Sequence, residues 1–303
     1  MDDIIIIGAG CAGLTAAIYA ARAGKSVRVL EAEGIGGQIA SSPRVENYPG
    51  IKEISGMEFS ENLYAQAEAL GVKTDYGRAV SLLPGEPMTV VTADGRLRCR
   101  SVILATGTKH RMLGLDREKE LRGKGVSYCA VCDGAFFKNA DVAVVGGGSA
   151  ALQSAEYLTG VCRKVYLIHR RDQFRGEEKL AERVSGKANL ELVLNANAVR
   201  LTGSDMLSGV VVKDKNTGAE RELPVKGLFV AIGQEPGSSA FADLVKLDEQ
   251  GYIAAGEDCR TSVPGVFTAG DCREKSVRQL TTAAADGTVA ALAAVAWAEE
   301  HPG

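Results

Sequence analysis

The stretch Ile4-Ile5-Ile6-Ile7-Gly8-Ala9-Gly10-Cys11-Ala12-Gly13, near the start of the chain, decides the fold. Four β-branched residues predict a short buried strand, and the glycines of a G-x-G-x-x-G pattern follow at once. The Ala-rich run from Leu14 to Ala23 predicts a helix that ends at Gly24, and the run from Ser26 to Leu30 predicts a second strand. This order predicts a complete βαβ unit with a parallel strand pair.

The three glycines of this turn suit a bound dinucleotide. Gly8 allows the tight turn, Gly10 lets the backbone approach a pyrophosphate, and Gly13 lets helix and strand pack closely. The helix N-terminus supplies amide groups and a favourable dipole for phosphate. Glu31, at the end of the second strand, can accept hydrogen bonds from ribose hydroxyls and repels a 2′-phosphate. The site therefore suits FAD or NAD; the alternative is a tight turn without a ligand.

A second unit with the same order begins at Asp141. A strand at Val142–Val145 precedes Gly146-Gly147-Gly148-Ser149-Ala150-Ala151, in which Gly146, Gly148 and Ala151 form the G-x-G-x-x-A variant. The next strand, Lys164–Ile168, is followed by His169, Arg170 and Arg171, and Arg175 comes four residues later. No acid occupies the ribose position, and guanidinium groups bind phosphate as bidentate donors. The pattern favours NADPH over NADH; the alternative is a solvated basic loop.

Composition excludes several classes of protein. Of 303 residues 36 are glycine, without the period of three that collagen needs, and 46% are hydrophobic, which argues against disorder. The net charge of −3 gives no basic field for nucleic acid. The longest apolar run, near Thr288–Ala298, has about eleven residues, short of the roughly 20 that span a membrane. We expect no membrane partner and, because the N-terminus lacks a secretory pattern, a cytoplasmic protein.

The order of the motifs predicts an α/β fold with two Rossmann-like, three-layer domains. Strands at Val102–Ala105 and Leu228–Ile232 end alike, each before a glycine, and no low-complexity linker separates the units. An Ala-rich helix at about Thr281–Glu299 closes the chain. We therefore expect one nucleotide-binding domain at residues 112–235, inserted into another formed by residues 1–111 and 236–303.

Cys129-Ala130-Val131-Cys132-Asp133 is a C-x-x-C pair followed by an acid. This spacing suits a disulfide or half of a metal site, but the chain has no second C-x-x-C and its three histidines are scattered, which disfavours a metal. Beside two dinucleotide sites a redox pair has a clear use, because a flavin passes two electrons from a nicotinamide to a disulfide. Asp133 is the adjacent candidate for the acid that protonates a released thiolate. The remaining cysteines are expected to pack as small hydrophobes; Cys259 with Cys272 is a weaker redox alternative.

Taken together, the chain resembles the low-molecular-weight bacterial thioredoxin reductases over essentially its whole length. The matching pieces are Gly8–Gly13, Gly36-Gly37-Gln38, Val45–Gly50, Ala105-Thr106-Gly107, Cys129–Asp133, Gly146–Ala151, His169–Arg175, Gly270-Asp271 and Arg278-Gln279. The larger disulfide reductases carry a C-x-x-x-x-C near the first site, where this chain has no cysteine.

The resemblance implies roles for individual residues. FAD is expected at Gly8, Gly10, Gly13, Glu31, Gly37, Gln38, Asn47, Thr106, Gly107, Asp271, Arg278 and Gln279. NADPH is expected at Gly146, Gly148, Ser149, Ala150, His169, Arg170, Arg171 and Arg175. Cys132 is the cysteine expected nearer the flavin, Cys129 the one that attacks the disulfide of thioredoxin or a thioredoxin-like protein, and Asp133 the acid–base residue. The family is homodimeric and rotates its NADPH domain relative to its FAD domain.

Four other functions stay open from the sequence. They are a ferredoxin-dependent flavin thioredoxin reductase, an FAD-dependent dithiol oxidase, a flavin-binding redox sensor without enzyme activity, and the flavoprotein subunit of a peroxiredoxin reductase. Many relatives have two adjacent acids where this chain has Gln153-Ser154, a departure that bears on the electron donor. The basic residues after the second glycine turn favour NADPH, and the intact C-x-x-C-D argues against a sensor.

Overall fold

The computed structural model describes residues 1–302. The chain forms two compact units: Met1–Lys109 together with the segment from Glu235 onward is unit 1, and His110–Gln234 is unit 2. The sequence predicted that the first part of unit 1 ends at residue 111 and that its second part begins at residue 236. The observed limits are Lys109 and Glu235.

Helices and strands alternate along the chain as the βαβ pattern predicts. The helices are α1 (Cys11–Arg22), α2 (Gly56–Ala69), α3 (Ala130–Asp133), α4 (Ser149–Thr159), α5 (Glu178–Ser185) and α6 (Leu280–Glu300). The strands are β1 (Asp2–Ile7), β2 (Val27–Glu31), β3 (Lys73–Tyr76), β4 (Ala79–Leu83), β5 (Met88–Thr92), β6 (Gly95–Leu104), β7 (Thr108–His110), β8 (Val126–Ser127), β9 (Asp141–Val145), β10 (Lys164–Ile168), β11 (Leu190–Val193), β12 (Ala196–Thr202), β13 (Gly209–Asp214), β14 (Glu220–Leu223), β15 (Gly227–Val230), β16 (Gln234–Pro236) and β17 (Val266–Thr268).

Unit 1 is built on a parallel sheet in the order β3-β2-β1-β6-β17. Strand β5 pairs antiparallel with the first five residues of β6, and β4 pairs antiparallel with β5. Ile7 lies level with Leu30 and Leu104, and Leu104 lies level with Thr268. Four strands therefore end at one edge of the sheet, and the residues that follow them are brought together there.

Unit 2 repeats this arrangement with the parallel order β11-β10-β9-β15-β8. Val145 lies level with Ile168 and Val230, so these strands also share a carboxyl edge. Strands β12, β13 and β14 form a separate antiparallel sheet. Each unit thus has three layers, with helices on one face of the parallel sheet and antiparallel strands on the other, as the hydrophobic clusters on the two faces show.

Small residues set the packing of α1 against α6. Ala16 and Ala20 of α1 and Ala290 and Ala294 of α6 are fully buried. A Cβ atom on Gly287 would lie 2.3 Å from the carbonyl oxygen of Ala12, which is closer than real Cβ atoms approach. Alanine and glycine at these positions therefore allow the backbones of α1 and α6 to pack close together over the sheet.

Helix α6 is longer than the apolar run that the sequence shows at first sight. Its 21 residues include an 18-residue window of mean hydropathy 1.3, so length and composition alone would allow it to cross a membrane. In the fold one side of this helix is buried in unit 1, mainly through its alanines. The same side carries Asp286, a charged residue with a structural role described below.

Candidate functional site

The first glycine turn combines two glycines that the fold requires with one that it does not. Gly8 has φ +111°, and a Cβ atom there would lie 2.3 Å from the carbonyl oxygen of Ala105. A Cβ atom on Gly13 would lie 1.9 Å from the carbonyl oxygen of Gly8. On Gly10 it would meet no described atom closer than 3.9 Å. Gly10 is the N-cap of α1, and no side chain caps this helix. The first amide groups of α1 therefore face open space beside Gly10, which is the arrangement that binds phosphate.

Glu31 is held against this turn. Its carboxylate is buried, with Oε2 accepting a hydrogen bond from the amide of Ala9 at 2.7 Å. Oε1 accepts from the amides of Glu33 and Gly34 at 2.7 and 3.0 Å. A carboxylate has about four acceptor positions, so one remains for a ribose hydroxyl. The structure gives Glu31 a role in shaping the turn that sequence reasoning missed, and its contact with ribose stays a prediction.

The loop after β2 brings further expected residues to the same edge. The amide of Gly36 donates to the carbonyl of Ala9 at 2.8 Å, and Gly37 has φ +62°. Gln38 Nε2 donates to the carbonyl and the hydroxyl oxygens of Thr108 at 2.7 and 2.9 Å. Gly107, just before Thr108, also has a left-handed φ, +61°. These contacts fix the loop beside the first glycine turn.

Of the four buried polar atoms in unit 1 that have no hydrogen-bond partner among residues 1–302, two lie at the carboxyl edge of the parallel sheet. They are Oγ1 of Thr106, which follows β6, and Oδ1 of Asp271, which follows β17. Burial raises the pKa of Asp271, partly offset by Lys275 and Arg278. Buried polar groups are normally satisfied, so these orphaned atoms fit a polar ligand along the carboxyl edge. The expected FAD residues of unit 1 are thus compatible with such a group.

Arg278 and Gln279, both expected near FAD, lie close to Asp271 in unit 1. The Arg278 Nε donates to the carbonyl oxygen of Asp271 at 3.1 Å, and its guanidinium carbon lies 3.9 Å from the centroid of the Tyr252 ring. Gln279 is the N-cap of α6, and its side-chain oxygen accepts from Asn47 Nδ2 at 3.3 Å. This connects Asn47, more than two hundred residues away in sequence, to the same site.

A buried ion network supports the Asp271 turn, and sequence reasoning missed it. Arg273 donates from Nη2 and Nε to the two carboxylate oxygens of Asp286, at 2.9 and 3.1 Å, and Lys275 Nζ lies 2.9 Å from Oδ2. Oδ2 also accepts from the amide of Gly270 at 3.0 Å. Burial opposes ionisation of Asp286, but these donors outweigh it and lower its pKa. The signal available in the sequence was Asp286 itself, a carboxylate within the apolar, Ala-rich part of a helix.

The second glycine turn has the same construction. Gly146 has φ +157°, and its Cβ atom would lie 2.3 Å from the carbonyl oxygen of Ala231 and 2.6 Å from Cβ of Ala151. On Gly148 a Cβ atom would meet no described atom within 4 Å. Gly148 begins α4 without a side-chain cap, and the exposed Ser149 and Ala150 form the first turn of that helix. Unit 2 therefore also offers an open helix N-terminus after β9.

His169 lies beneath this turn. A Cβ atom on Gly147 would lie 2.0 Å from the His169 ring, which stacks on Phe174 with centroids 5.4 Å apart. The side chain is 4% exposed, and Nε2 lies 3.1 Å from the carbonyl oxygen of Gln173. Burial lowers the pKa of His169, so the ring is neutral near pH 7. It packs the turn, and the positive charge of this site comes from the arginines.

Arg170, Arg171 and Arg175 are exposed, and none of them forms an ion pair with a carboxylate of residues 1–302. The amide of Arg175 donates to the carbonyl of Gly147 at 2.7 Å, which fixes its loop on the glycine turn. Guanidinium groups without internal partners remain available to an anionic ligand. Their place at the end of β10 corresponds to that of Glu31 at the end of β2.

Cys129 and Cys132 form a disulfide, as the C-x-x-C spacing allowed. Cys129 is the N-cap of α3 and is half-buried, and the exposed Cys132 donates its amide hydrogen to Cys129 Sγ at 3.2 Å. The other five cysteines are free and buried, including the alternative pair Cys259 and Cys272. Burial raises the pKa of Cys259 to about 12, which keeps that thiol unreactive. Among residues 1–302, no three His, Cys, Asp or Glu side chains group as a metal site.

Asp133 lies at the end of the disulfide helix α3. Its Oδ2 accepts a hydrogen bond from the Ser127 hydroxyl at 2.6 Å. Burial raises the pKa of Asp133, against the lowering effects of Ser127 and of the Arg122 charge. A carboxyl group with a raised pKa holds a proton more readily and is therefore suited to proton transfer. Sequence reasoning found Asp133 but not Ser127.

The disulfide occupies a position equivalent to that of Asp271. In unit 1 the outermost strand on the far side of β6 is β17, and Gly270–Cys272 follows its carboxyl end. In unit 2 the corresponding outermost strand is β8, and Cys129–Asp133 follows it. Within each unit, the edge that carries the glycine turn thus also carries a candidate site segment, which follows the fifth strand in the parallel order (β17 in unit 1 and β8 in unit 2).

Comparisons with known proteins agree with this architecture. The family model for pyridine nucleotide-disulphide oxidoreductases matches residues 2–287. Thioredoxin reductase from Listeria monocytogenes is 41% identical over 300 residues, covering 98% of this chain and 94% of that protein. Thioredoxin reductase from Bacillus subtilis is 41% identical over 300 residues, covering 98% of this chain and 95% of that protein.

A solved structure of thioredoxin reductase from Streptococcus pyogenes matches with a TM-score of 0.95 and 39% identity, covering 99% of both chains. This likeness extends over both units. The resemblance inferred from the motifs is therefore confirmed. The chain belongs to the pyridine nucleotide-disulphide oxidoreductase family, and within it to the low-molecular-weight thioredoxin reductases.

Proposed function

We propose that the protein uses NADPH and FAD to reduce the disulfide of thioredoxin or a thioredoxin-like protein. The observation that carries this proposal is the Cys129–Cys132 disulfide, which lies in one unit with an open glycine turn and unpaired arginines. The other unit has a glycine turn with an acid at the corresponding place, which suits FAD.

In unit 1 the open side of Gly10 and the first amides of α1 would receive the pyrophosphate of FAD. The remaining acceptor position of Glu31 would take a ribose hydroxyl. Thr106 Oγ1 and Asp271 Oδ1, which have no partner among residues 1–302, would bond the ribityl and ring portions. Bound FAD would supply the hydride acceptance and two-electron transfer that protein side chains lack.

In unit 2 Gly148 and the first turn of α4 would bind the pyrophosphate of NADPH. Arg170, Arg171 and Arg175 would bind the 2′-phosphate, which an acid at this place would repel. Gln153-Ser154 does not remove any of these groups: Ser154 Oγ bonds the Ala150 carbonyl at 2.7 Å within α4. NADPH is therefore favoured over ferredoxin as donor.

The cysteine pair would carry two electrons from one protein to another. Two electrons and two protons convert the Cys129–Cys132 disulfide into two thiols. Asp133 accepts the proton of the Cys129 thiol, the resulting thiolate attacks one sulfur of the thioredoxin disulfide to form a mixed disulfide, and Asp133 gives that proton to the thiolate released from thioredoxin. The Cys132 thiol then gives its proton to Asp133, and its thiolate attacks Cys129 Sγ and restores the disulfide. The second thioredoxin sulfur leaves as a thiolate and takes that proton, which completes reduced thioredoxin.

A homodimer in the cytoplasm fits the remaining features of the chain. Val289, Leu292 and Ala296 lie on one exposed side of α6, and Leu292 is 54% exposed. An apolar face of this kind is suited to a second copy of the chain. The five free cysteines suit a reducing compartment. Leu292→Asp should shift the sedimentation coefficient toward that of a monomer, and an unchanged dimer would exclude this face.

Anaerobic titration of the purified protein tests the proposed donor and acceptor. NADPH should bleach the flavin absorbance near stoichiometric addition, NADH should require much higher concentrations, and oxidised thioredoxin should restore the colour. Bleaching by neither nucleotide would favour the ferredoxin-dependent alternative. Bleaching without recovery by thioredoxin, but with recovery by oxygen, would favour the dithiol oxidase.

A further inference from the structure

Ser127 is a buried serine that contacts both the proposed acid and the backbone of a redox cysteine. It ends β8, two residues before Cys129, and is 5% exposed. Its hydroxyl donates to Asp133 Oδ2 at 2.6 Å, and its oxygen accepts from the amide of Cys129 at 3.1 Å. One hydroxyl group thus links the acid to the backbone of a redox cysteine.

The short bond to Asp133 is a charge-assisted hydrogen bond whenever the carboxyl group is ionised. Such bonds are about twice as strong as bonds between neutral groups, and they favour the ionised form. Ser127 therefore acts against burial, which favours the protonated form. Arg122 is the charged group whose field reaches Asp133, and Tyr157 of the neighbouring helix α4 faces Gly134, next in sequence.

We propose that Ser127 is a positioning residue that aims the Asp133 carboxyl group at the cysteine pair and sets the pH at which that group gives up its proton. This inference rests on the proposed function, because it assigns the proton of the thiol–disulfide step to Asp133. When Asp133 gives its proton to the departing thiolate of thioredoxin, a carboxylate remains. The Ser127 hydroxyl donates to that carboxylate, so it stabilises the product of the transfer.

The direction of the effect follows from these contacts. Ser127→Val removes the hydroxyl group. The ionised Asp133 carboxylate then loses its hydrogen-bond donor, while the carboxyl group stays buried. The pKa of Asp133 should rise further, and its titration midpoint should move up by about one pH unit. Ser127→Thr keeps the hydroxyl on a side chain of the same size, and its midpoint should remain near that of the parent protein.

Infrared difference spectroscopy of the disulfide form measures this midpoint without nucleotide or thioredoxin. The band of the protonated Asp133 carboxyl group is assigned by its loss in Asp133→Asn and followed against pH in each variant. Ser101→Ala is the matched control, because Ser101 is also a fully buried strand residue and its hydroxyl has no partner among residues 1–302. It should leave the midpoint unchanged. An equal midpoint in Ser127→Val and Ser127→Thr would overturn the proposal.

The pH profile of thioredoxin reduction gives the second readout, with purified oxidised bacterial thioredoxin as substrate. The limb controlled by Asp133 should move to higher pH in Ser127→Val and return in Ser127→Thr. An equal loss of turnover at every pH would mean that Ser127 only supports the fold, and would overturn the proposal. If Ser127→Val shifts the infrared midpoint of Asp133 but the parent protein reduces no thioredoxin, the effect of Ser127 on Asp133 is supported and the proposed function is rejected.

Discussion

The two glycine turns share a backbone and differ in the charge beside them. Gly8 and Gly146 both have positive φ, and a Cβ atom on either would lie 2.3 Å from a carbonyl oxygen across the sheet. The residue at the end of the second strand is Glu31 in unit 1, whereas basic residues follow that strand in unit 2. We therefore expect each turn to bind a dinucleotide and the residues at the end of the second strand to determine which dinucleotide binds.

The two units also differ in the segment that follows the fifth strand of the parallel order, which is β17 in unit 1 and β8 in unit 2. Unit 1 places Asp271 there, with one unpartnered oxygen and a buried ion network behind it. Unit 2 places the disulfide and Asp133 there, with Ser127 behind the acid. The same place in the fold thus holds a buried carboxylate with an unpartnered oxygen in one unit and a disulfide in the other.

The largest expected effect tests the difference between the segments after β8 and β17, because it removes the disulfide of unit 2. Cys129→Ser and Cys132→Ser should each lower thioredoxin reduction by a factor on the order of 10⁴ or more, because neither variant can form the disulfide. NADPH should still bleach the flavin in both. Cys162→Ser, which changes a free thiol in the same unit, is the matched control and should keep turnover. Substantial activity in either active-site variant would assign the chemistry to another group.

Asp286→Asn tests the support of Asp271 in unit 1. The change leaves Arg273 and Lys275, whose side chains are 6% and 7% exposed, without their anion. Removing one member of a buried pair destabilises by about 3–5 kcal/mol, so urea should release the flavin at a lower concentration. Asp141→Asn, which breaks the exposed pair with Arg163 in unit 2, is the control and should change little. Equal effects of the two changes would contradict a structural role for the network.

The arginines of unit 2 should determine the choice of nucleotide. Arg170→Ala with Arg171→Ala should raise KM for NADPH roughly 100-fold, because two charge-assisted contacts with the 2′-phosphate are lost. KM for NADH should stay nearly constant, which steady-state kinetics with both nucleotides would show. A parallel rise for NADH would mean that these arginines support the fold of the turn instead.

The smallest effect compares the open glycine of each turn. Gly148→Ala should weaken NADPH binding about 10-fold and leave FAD bound, whereas Gly10→Ala should weaken FAD to a similar degree. Neither change meets a described protein atom closer than 3.9 Å, so the thermal stability of the ligand-free protein should be preserved. Calorimetry measures both affinities. Unchanged affinity in one variant would show that the ligand does not approach that turn.

Local patterns predicted the parts of the fold that depend on neighbouring residues. The strand–turn–helix segments at Gly8 and Gly146 follow from glycine spacing, and helix α6 begins within one residue of the expected Thr281. The pairing of β17 with β6 joins segments about 160 residues apart in sequence, and no local pattern encodes it. For the same reason the sequence indicated Asp133 and Asp271 as site residues but not their supports, Ser127 and Asp286.

The two connections between the units run side by side as the paired strands β7 and β16. The amide of Gly237 donates to the carbonyl of Gly107 at 2.9 Å, and the amide of Arg111 donates to the carbonyl of Gly233 at 3.1 Å. The point at which the chain leaves unit 1, near Gly107, is therefore hydrogen-bonded to the point at which it returns, near Gly237. Loop-closure entropy depends on the distance between the ends and only weakly on loop length. Once unit 2 has folded, joining the two parts of unit 1 carries the entropy loss of a hairpin, although 125 residues lie between them.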